Sequence, residues 1–166
     1  MQSIVLASSN QGKLEEMRAL LAPLGLQLST QASFGVTPPP ETGTTFIENA
    51  IIKARYAAQV SGLPALADDS GLEVDELGGA PGVYSARYAG EQASDAANVA
   101  KLLAELGDAN LRSARFHCVV AFMRHEADPV PLVFHGTWEG TIARAPRGEA
   151  GFGRSEEHTS ELQSPC

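Results

Sequence analysis

The stretch Ala67-Asp68-Asp69-Ser70-Gly71-Leu72-Glu73-Val74-Asp75 decides how this chain is read. An apolar run, Leu63 to Ala67, leads straight into two adjacent carboxylates and then a Ser-Gly turn. Successive strand residues point to opposite faces, so Asp68 and Asp69 are not expected to enter one core. Two ionised carboxylates are also not expected to tolerate burial together. Carboxylates at the end of a buried strand suit a hard divalent cation, which prefers oxygen ligands. A polar turn after a strand explains Asp68-Asp69-Ser70-Gly71 equally well, and this stretch alone does not separate the two.

Nearer the N-terminus, Ile4-Val5-Leu6-Ala7 reads as a short buried strand, followed by Ser8-Ser9-Asn10-Gln11-Gly12-Lys13. An amphipathic helix comes next, with Leu14, Met17, Leu20, Leu21 and Leu24 on one face and Gly25 as its stop. Small hydroxyl and amide residues with a Gly and a Lys, at a strand-to-helix turn, can cradle phosphate against the helix N-terminus. Neither a Walker motif nor a Gly-x-Gly-x-x-Gly fingerprint is present, and Asn10 also serves as a simple N-cap.

Pro38-Pro39-Pro40 forms a stiff lead-in to Glu41. A second helix opens on a capping box, Thr45-x-x-Glu48, and runs through Ile47, Ala50, Ile51, Ala54 and Ala58 to Gly62. Asn49 and Lys53 fall one turn apart on another of its faces. A third helix runs from a Ser94 cap through Val99, Leu102, Leu103 and Leu106 to Gly107. Phe116 to Met123 and Val130 to Ile142 read as an antiparallel pair of strands joined by the charged turn Arg124 to Pro129. Early strand-helix alternation and a late hairpin predict an α/β fold, a mixed sheet with helices packed on it.

The 166 residues are enough for one domain with a sizeable core, and 43% hydrophobic with 19% charged residues is a globular composition. Net charge is −8; Arg154 to Cys166 carries one Arg and three Glu, which leaves −6 on Met1 to Gly153. That acidity argues against a nucleic-acid or membrane-surface binder. No apolar run approaches spanning length, and no basic-then-apolar leader opens the chain. Cys118 has no second cysteine within Met1 to Gly153, so no disulfide is expected there, in keeping with a reducing cytoplasm. Flanked by Phe116, Val120 and Phe122 on its own face, it reads as a core cysteine rather than a catalytic thiol.

Together these motifs resemble one family, the inosine/xanthosine triphosphate pyrophosphatases. The matching residues are Ser8-x-Asn10-x-x-Lys13, Glu41-Thr42-Gly43-x-Thr45-Phe46-x-Glu48-Asn49-Ala50, Lys53-Ala54 and Ala67 to Leu72. Gly78 to Tyr88, Arg115-Phe116-His117-Cys118 and Gly151-Phe152-Gly153 extend the match. The resemblance implies an elongated mixed sheet flanked by helices, in two lobes with a central cleft. It also implies a magnesium-dependent, cytoplasmic, homodimeric enzyme that cuts ITP, dITP or XTP between the α and β phosphates, releasing the monophosphate and pyrophosphate. Nucleotide-pool sanitation would be its purpose, and neither nucleic acid nor membrane is an expected partner.

Cleaving a phosphoanhydride needs neutralised phosphates, an oriented water and a base. The resemblance assigns Asp69 as general base and metal-linked carboxylate, and Glu41 as a magnesium ligand, with Asp68 in support through water. Ser8, Ser9, Asn10, Gln11, Gly12, Lys13, Lys53, Ser70, Phe152 and Gly153 are implied to bind substrate. Lys13 and Lys53 would act as point charges and Phe152 would lie against the purine. Glu48 stays with the capping box, and Arg87, at a family position near the cleft, is left without a role. His117, His125 and His135 lack zinc-ligand spacing. A phosphatase with an aspartyl nucleophile is the competing enzyme reading, though Asp-x-Asp spacing is missing.

The resemblance stops after Gly153. Residues 154–166 have no apolar periodicity, and Arg154 to Ser164 fits a sequencing-adapter oligonucleotide read through the genetic code. The domain is therefore taken as 1–153, incomplete at its C-terminus, and 154–166 as a non-native tail; a natural divergent end is the other reading. From the tail comes an alternative function, a truncated, catalytically weak or inactive nucleotide-binding product. Such a product would be poorly soluble and would show no preference for ITP over ATP. Purification of a soluble chain with strong, ITP-selective pyrophosphate release would exclude it.

Overall fold

The computed structural model of the chain describes residues 2–8, 11–35 and 37–146. Its strands are β1 (Gln2–Leu6), β2 (Leu26–Thr30), β3 (Ala65–Val74), β4 (Ser113–Met123) and β5 (Leu132–Thr141); its helices are α1 (Gln11–Leu21), α2 (Phe46–Ser61) and α3 (Asp95–Leu106). The strands form one sheet in the order β2-β1-β3-β4-β5, the α/β architecture expected. β1 lies between two parallel neighbours, with Gln2 opposite Leu26 and Leu6 opposite Thr30 on one side. On its other side Val5 stands opposite Ala65 and Leu6 opposite Leu66. Parallel neighbours require a crossover, and α1 supplies it between β1 and β2.

The described residues divide into two compact units, one within 2–69 and 118–135, the other within 70–117 and 136–146. In the first, side-chain alternation builds a core on each face of the sheet. Val5, Ala65, Ala67, Val119, Ala121 and Met123 face Ala50, Ala54, Ala57 and Ala58 of α2. These alanines are 0–1% exposed, and their small side chains let the helix axis lie close to the sheet. On the other face Ile4, Leu6, Leu28 and Leu66 pack with Leu14, Met17 and Leu21 of α1. The expected α1 stripe is narrower than the sequence suggested. Leu20 is 60% and Leu24 69% exposed. The 14-17-21 spacing follows one helical face, Leu20 falls off it, and Leu24 belongs to the 3-10 turn Ala22–Leu24 that ends at Gly25.

In the second unit Val74, Leu102, Leu106 and Ala114 form the core with Leu72, Leu77, Tyr88 and Ile142. Arg112, 6% exposed, donates to the carbonyls of Ile142 at 2.9 Å, Gly107 at 3.0 Å and Ala143 at 3.1 Å. Asn98 of α3 accepts from Ala89 N–H at 2.8 Å and donates to Ala86 O at 3.0 Å, fixing the preceding loop to the helix. α3 begins at the expected Ser94 cap, whose side chain accepts from Ala97 N–H.

Cys118 is 5% exposed, as a core cysteine should be.

β4 and β5 are sheet neighbours, as the hairpin reading expects, although β5 starts at Leu132 rather than Val130. Asp128, 1% exposed, closes their connection. It accepts from Arg124 N–H at 3.0 Å, Arg124 Nε at 2.8 Å, Arg124 Nη2 at 2.5 Å and Val130 N–H at 3.0 Å. The Arg124 guanidinium and these amides hold its carboxyl well below the usual carboxylate range. A depressed carboxylate stabilises the fold fully above its unfolded pKa of about 3.9 and loses that contribution progressively as the pH falls from there through its lower folded value. Asp128→Asn is therefore expected to melt below the parent at pH 7, with the gap narrower at pH 3. Paired thermal melts at pH 7 and pH 3 check it.

Candidate active site

β3 does not end at Asp68-Asp69. The strand runs ten residues, through Ser70 and Gly71 to Val74, so the expected Ser-Gly turn is absent. Both aspartates are buried, each 8% exposed, which overturns the expectation that two such carboxylates would not be buried together. The reason is that each has its own cation, on its own face of the sheet. Asp68 shares the Leu66 face, where α1 packs, and pairs with Lys13 of that helix. Asp69 shares the Ala65 and Ala67 face, where α2 packs, and accepts from Lys53 Nζ at 3.2 Å. The same ammonium donates to Glu41 Oε1 at 2.9 Å.

α2 is held in place by its N-terminus. Thr45 Oγ1 accepts from Glu48 N–H at 3.1 Å, while Glu48 Oε2 accepts from the N–H groups of Thr44 at 2.8 Å and Thr45 at 2.9 Å. This is the capping box expected, with Glu48 in it rather than among the metal candidates. Just before it, Gly43 N–H donates to Asn49 Oδ1 at 2.8 Å. A Cβ at Gly43 would lie 2.6 Å from that oxygen and 2.6 Å from Glu48 Cβ, so only glycine lets the Glu41-Thr42-Gly43 segment run against the helix. That approach delivers Glu41 to Lys53.

The electrostatics follow from burial and crowding. Burial pushes the Asp69 carboxyl above its usual range and Glu41 adds to this, against the opposing pull of Lys53 and the Asn49 amide. Burial works against the charged form of Lys53, yet Asp69, Glu41 and Asp68 together hold it above the ordinary lysine value. Asp69 Oδ2 and Asn49 Nδ2 are buried and have no hydrogen-bond partner.

Among the described residues no group of three or more His, Cys, Asp or Glu side chains is gathered as a metal cluster. Two carboxylates, Glu41 and Asp69, nevertheless share a single cation, the Lys53 ammonium. One Asp69 oxygen is left bare. An all-oxygen donor pair of this kind fits magnesium, which binds through one or two carboxylates and takes its remaining ligands from water and substrate phosphates. Asp68 is turned to the opposite sheet face and to Lys13, so its expected support of a metal is not what its surroundings provide.

Of the other expected substrate residues, Ser8 lies between β1 and α1, half-buried, and Gln11 and Gly12 open α1 in exposed positions. Ser70 is half-buried in β3. Ser9, Asn10, Phe152 and Gly153 lie outside the described residues. Arg87 ends the 3-10 turn Gly82–Arg87, lies 5.2 Å over the Tyr84 ring and pairs with Glu91 at 3.7 Å. His117 sits 2.6 Å from Glu73 Oε2 and 3.4 Å from Thr137 Oγ1, a packed histidine.

Two residues quoted in the matching motifs were given no role by the sequence reading. Arg115 joins Asp75 at 2.8 Å, Glu139 at 3.1 Å and Glu73 at 3.3 Å across three strands. Asn49, 0% exposed, stands between the Glu41 segment and the Asp69 environment. Its signals were its place one turn before Lys53 and in the Glu41 to Ala50 motif.

No helix among the described residues is long and apolar enough to cross a membrane. A sequence model described as the Ham1 family matches residues 4–154. The chain is 61% identical over 155 residues to a dITP/XTP pyrophosphatase of Vibrio cholerae, covering 92% of this chain and 78% of that protein. A protein of the same name from Yersinia pestis is also 61% identical, with 92% and 79% covered. Among solved structures, a HAM1 protein from Coxiella burnetii superposes with a TM-score of 0.88 at 57% identity, over 92% of this chain and 79% of that one. The Ham1 protein of Staphylococcus aureus gives 0.83 at 43%, over 92% and 78%. By sequence and by fold, the chain belongs to the Ham1 family.

Proposed function

We propose that this chain hydrolyses ITP, dITP and XTP to the nucleoside monophosphate and pyrophosphate, with magnesium as cofactor. The observation that carries the proposal is a buried Asp69 with one oxygen bare and the other on Lys53, which Glu41 shares. It lies in a chain 61% identical to proteins named dITP/XTP pyrophosphatase. In this reading Asp69 accepts the proton of the attacking water, and a carboxylate pushed above its usual range is a stronger base than an exposed one. Lys53 and Lys13, one on each sheet face, offer point charges to the phosphates. Glu41 and Asp69 would hold magnesium, which when bound neutralises phosphate charge. Ser8, Ser9, Asn10, Gln11, Gly12 and Ser70 supply polar contacts, and Phe152 with Gly153 the purine contact. The enzyme would serve nucleotide-pool sanitation in the cytoplasm as a homodimer, without nucleic-acid or membrane partners. Its acidic balance supports the last point. No observation favours the inactive binding product over this reading.

Asp69→Asn keeps the shape and removes the basic oxygen. Turnover of ITP is expected to fall by about 100- to 10,000-fold, with nucleotide binding by calorimetry largely kept. Undiminished turnover would remove Asp69 from the chemistry. A chelator should abolish pyrophosphate release and added magnesium should restore it; release unaffected by the chelator would contradict the cofactor assignment. Lys13→Ala is expected to raise KM for ITP more than Leu14→Ala does. Leu14, 4% exposed in the α1 core, should instead lower stability by about 2–5 kcal/mol. Steady-state kinetics and melting curves on both variants separate the two roles.

A further inference from the structure

Among the described residues, the two buried side-chain polar atoms with no hydrogen-bond partner are Asn49 Nδ2, a donor, and Asp69 Oδ2, an acceptor. An orphaned buried donor and an orphaned buried acceptor each cost stability unless they serve one another or a ligand. They belong to one neighbourhood. Lys53, one helical turn beyond Asn49 on α2, donates to Asp69 Oδ1 at 3.2 Å, and the Asn49 amide is near enough to the Asp69 carboxyl to favour its charged form. The other end of the Asn49 amide is committed, because its Oδ1 accepts from Gly43 N–H at 2.8 Å. An amide fixed at its oxygen by backbone has a fixed NH2 orientation.

We infer that Asn49 is a positioning residue: its oxygen anchors the Glu41 segment through Gly43, and its buried NH2 group, beside the Asp69 carboxylate, fixes where that carboxylate sits. One side chain thus sets both carboxylates of the site relative to Lys53. Gly43 is required for the same reason, since a Cβ there would stand 2.6 Å from the Asn49 oxygen. This inference rests on the reading of Asp69 as the base.

The test is a mutant cycle. Asn49→Ala is expected to lower kcat for ITP by about 10- to 100-fold while KM moves less than about threefold, since misplacing a reacting group by a fraction of an ångström suffices for such losses. In an Asp69→Asn background the same change should alter residual kcat by less than about threefold, because a residue acting through Asp69 has nothing left to orient. If Asn49→Ala melts too low to assay, Asn49→Asp keeps the shape and the oxygen that accepts from Gly43 while losing the donor, and should show the same split. An unchanged kcat in the parent background overturns the inference, as does an equal loss in both backgrounds. Failure of both variants to fold also overturns it, making Asn49 purely structural. Full activity in Asp69→Asn alone would instead remove the base assignment beneath it, a result distinct from an inactive Asp69→Asn beside an active Asn49→Ala.

Discussion

The structure around β3 depends on one arrangement: two adjacent aspartates inside a strand, each matched by a lysine from a different helix on a different face of the sheet. A buried carboxylate without a cation costs several kcal/mol, so removing either lysine would leave a charge the fold does not tolerate. Strand alternation makes the matching possible, because it separates neighbours in sequence onto opposite faces. α1 and α2 are therefore more than cover for the sheet. Each delivers a charge to the place where the apolar run Ala65-Leu66-Ala67 ends.

The two faces are not equivalent. Asp68 is half of a simple pair with Lys13, whereas Asp69 shares Lys53 with Glu41 and keeps one oxygen without a partner. Burial and the neighbouring Glu41 raise the Asp69 carboxyl above its usual range, against the pull of Lys53. A carboxylate held in a more basic state suits the role proposed for Asp69 in phosphoanhydride hydrolysis. The α1 face, with the Lys13–Asp68 pair, lies beside the segment proposed to meet the phosphates, whereas on the α2 face the Pro-Pro-Pro-Glu segment brings a second carboxylate to Lys53.

Much of this was legible in the sequence because it is local. The Thr45-Glu48 capping box, the Ser94 cap and the glycines that close the Ala22–Leu24 turn and α2 act within four residues of each other. The identity of the site came from motif order, which brought Lys13, Glu41, Lys53 and Asp69 forward, and the structure gathers these four with Asp68 around β3. What was misread is non-local. Ser70-Gly71 looks like a turn by residue type, yet the sheet carries the strand through it. Burial of both aspartates looked forbidden because their partners lie 55 and 16 residues away. The Arg115 network joins residues 40 and 24 positions apart and has no local signature. Leu20 was placed on the α1 stripe by hydrophobicity, where spacing alone would have excluded it.

The most direct measurement is the product balance from ITP in the presence of magnesium, by chromatography of nucleotides together with separate assays of pyrophosphate and orthophosphate. A water activated at Asp69 to open the α–β anhydride gives IMP and pyrophosphate in equal amounts, with no IDP. Formation of IDP and orthophosphate would place the cleavage at the terminal phosphate and contradict the proposed function.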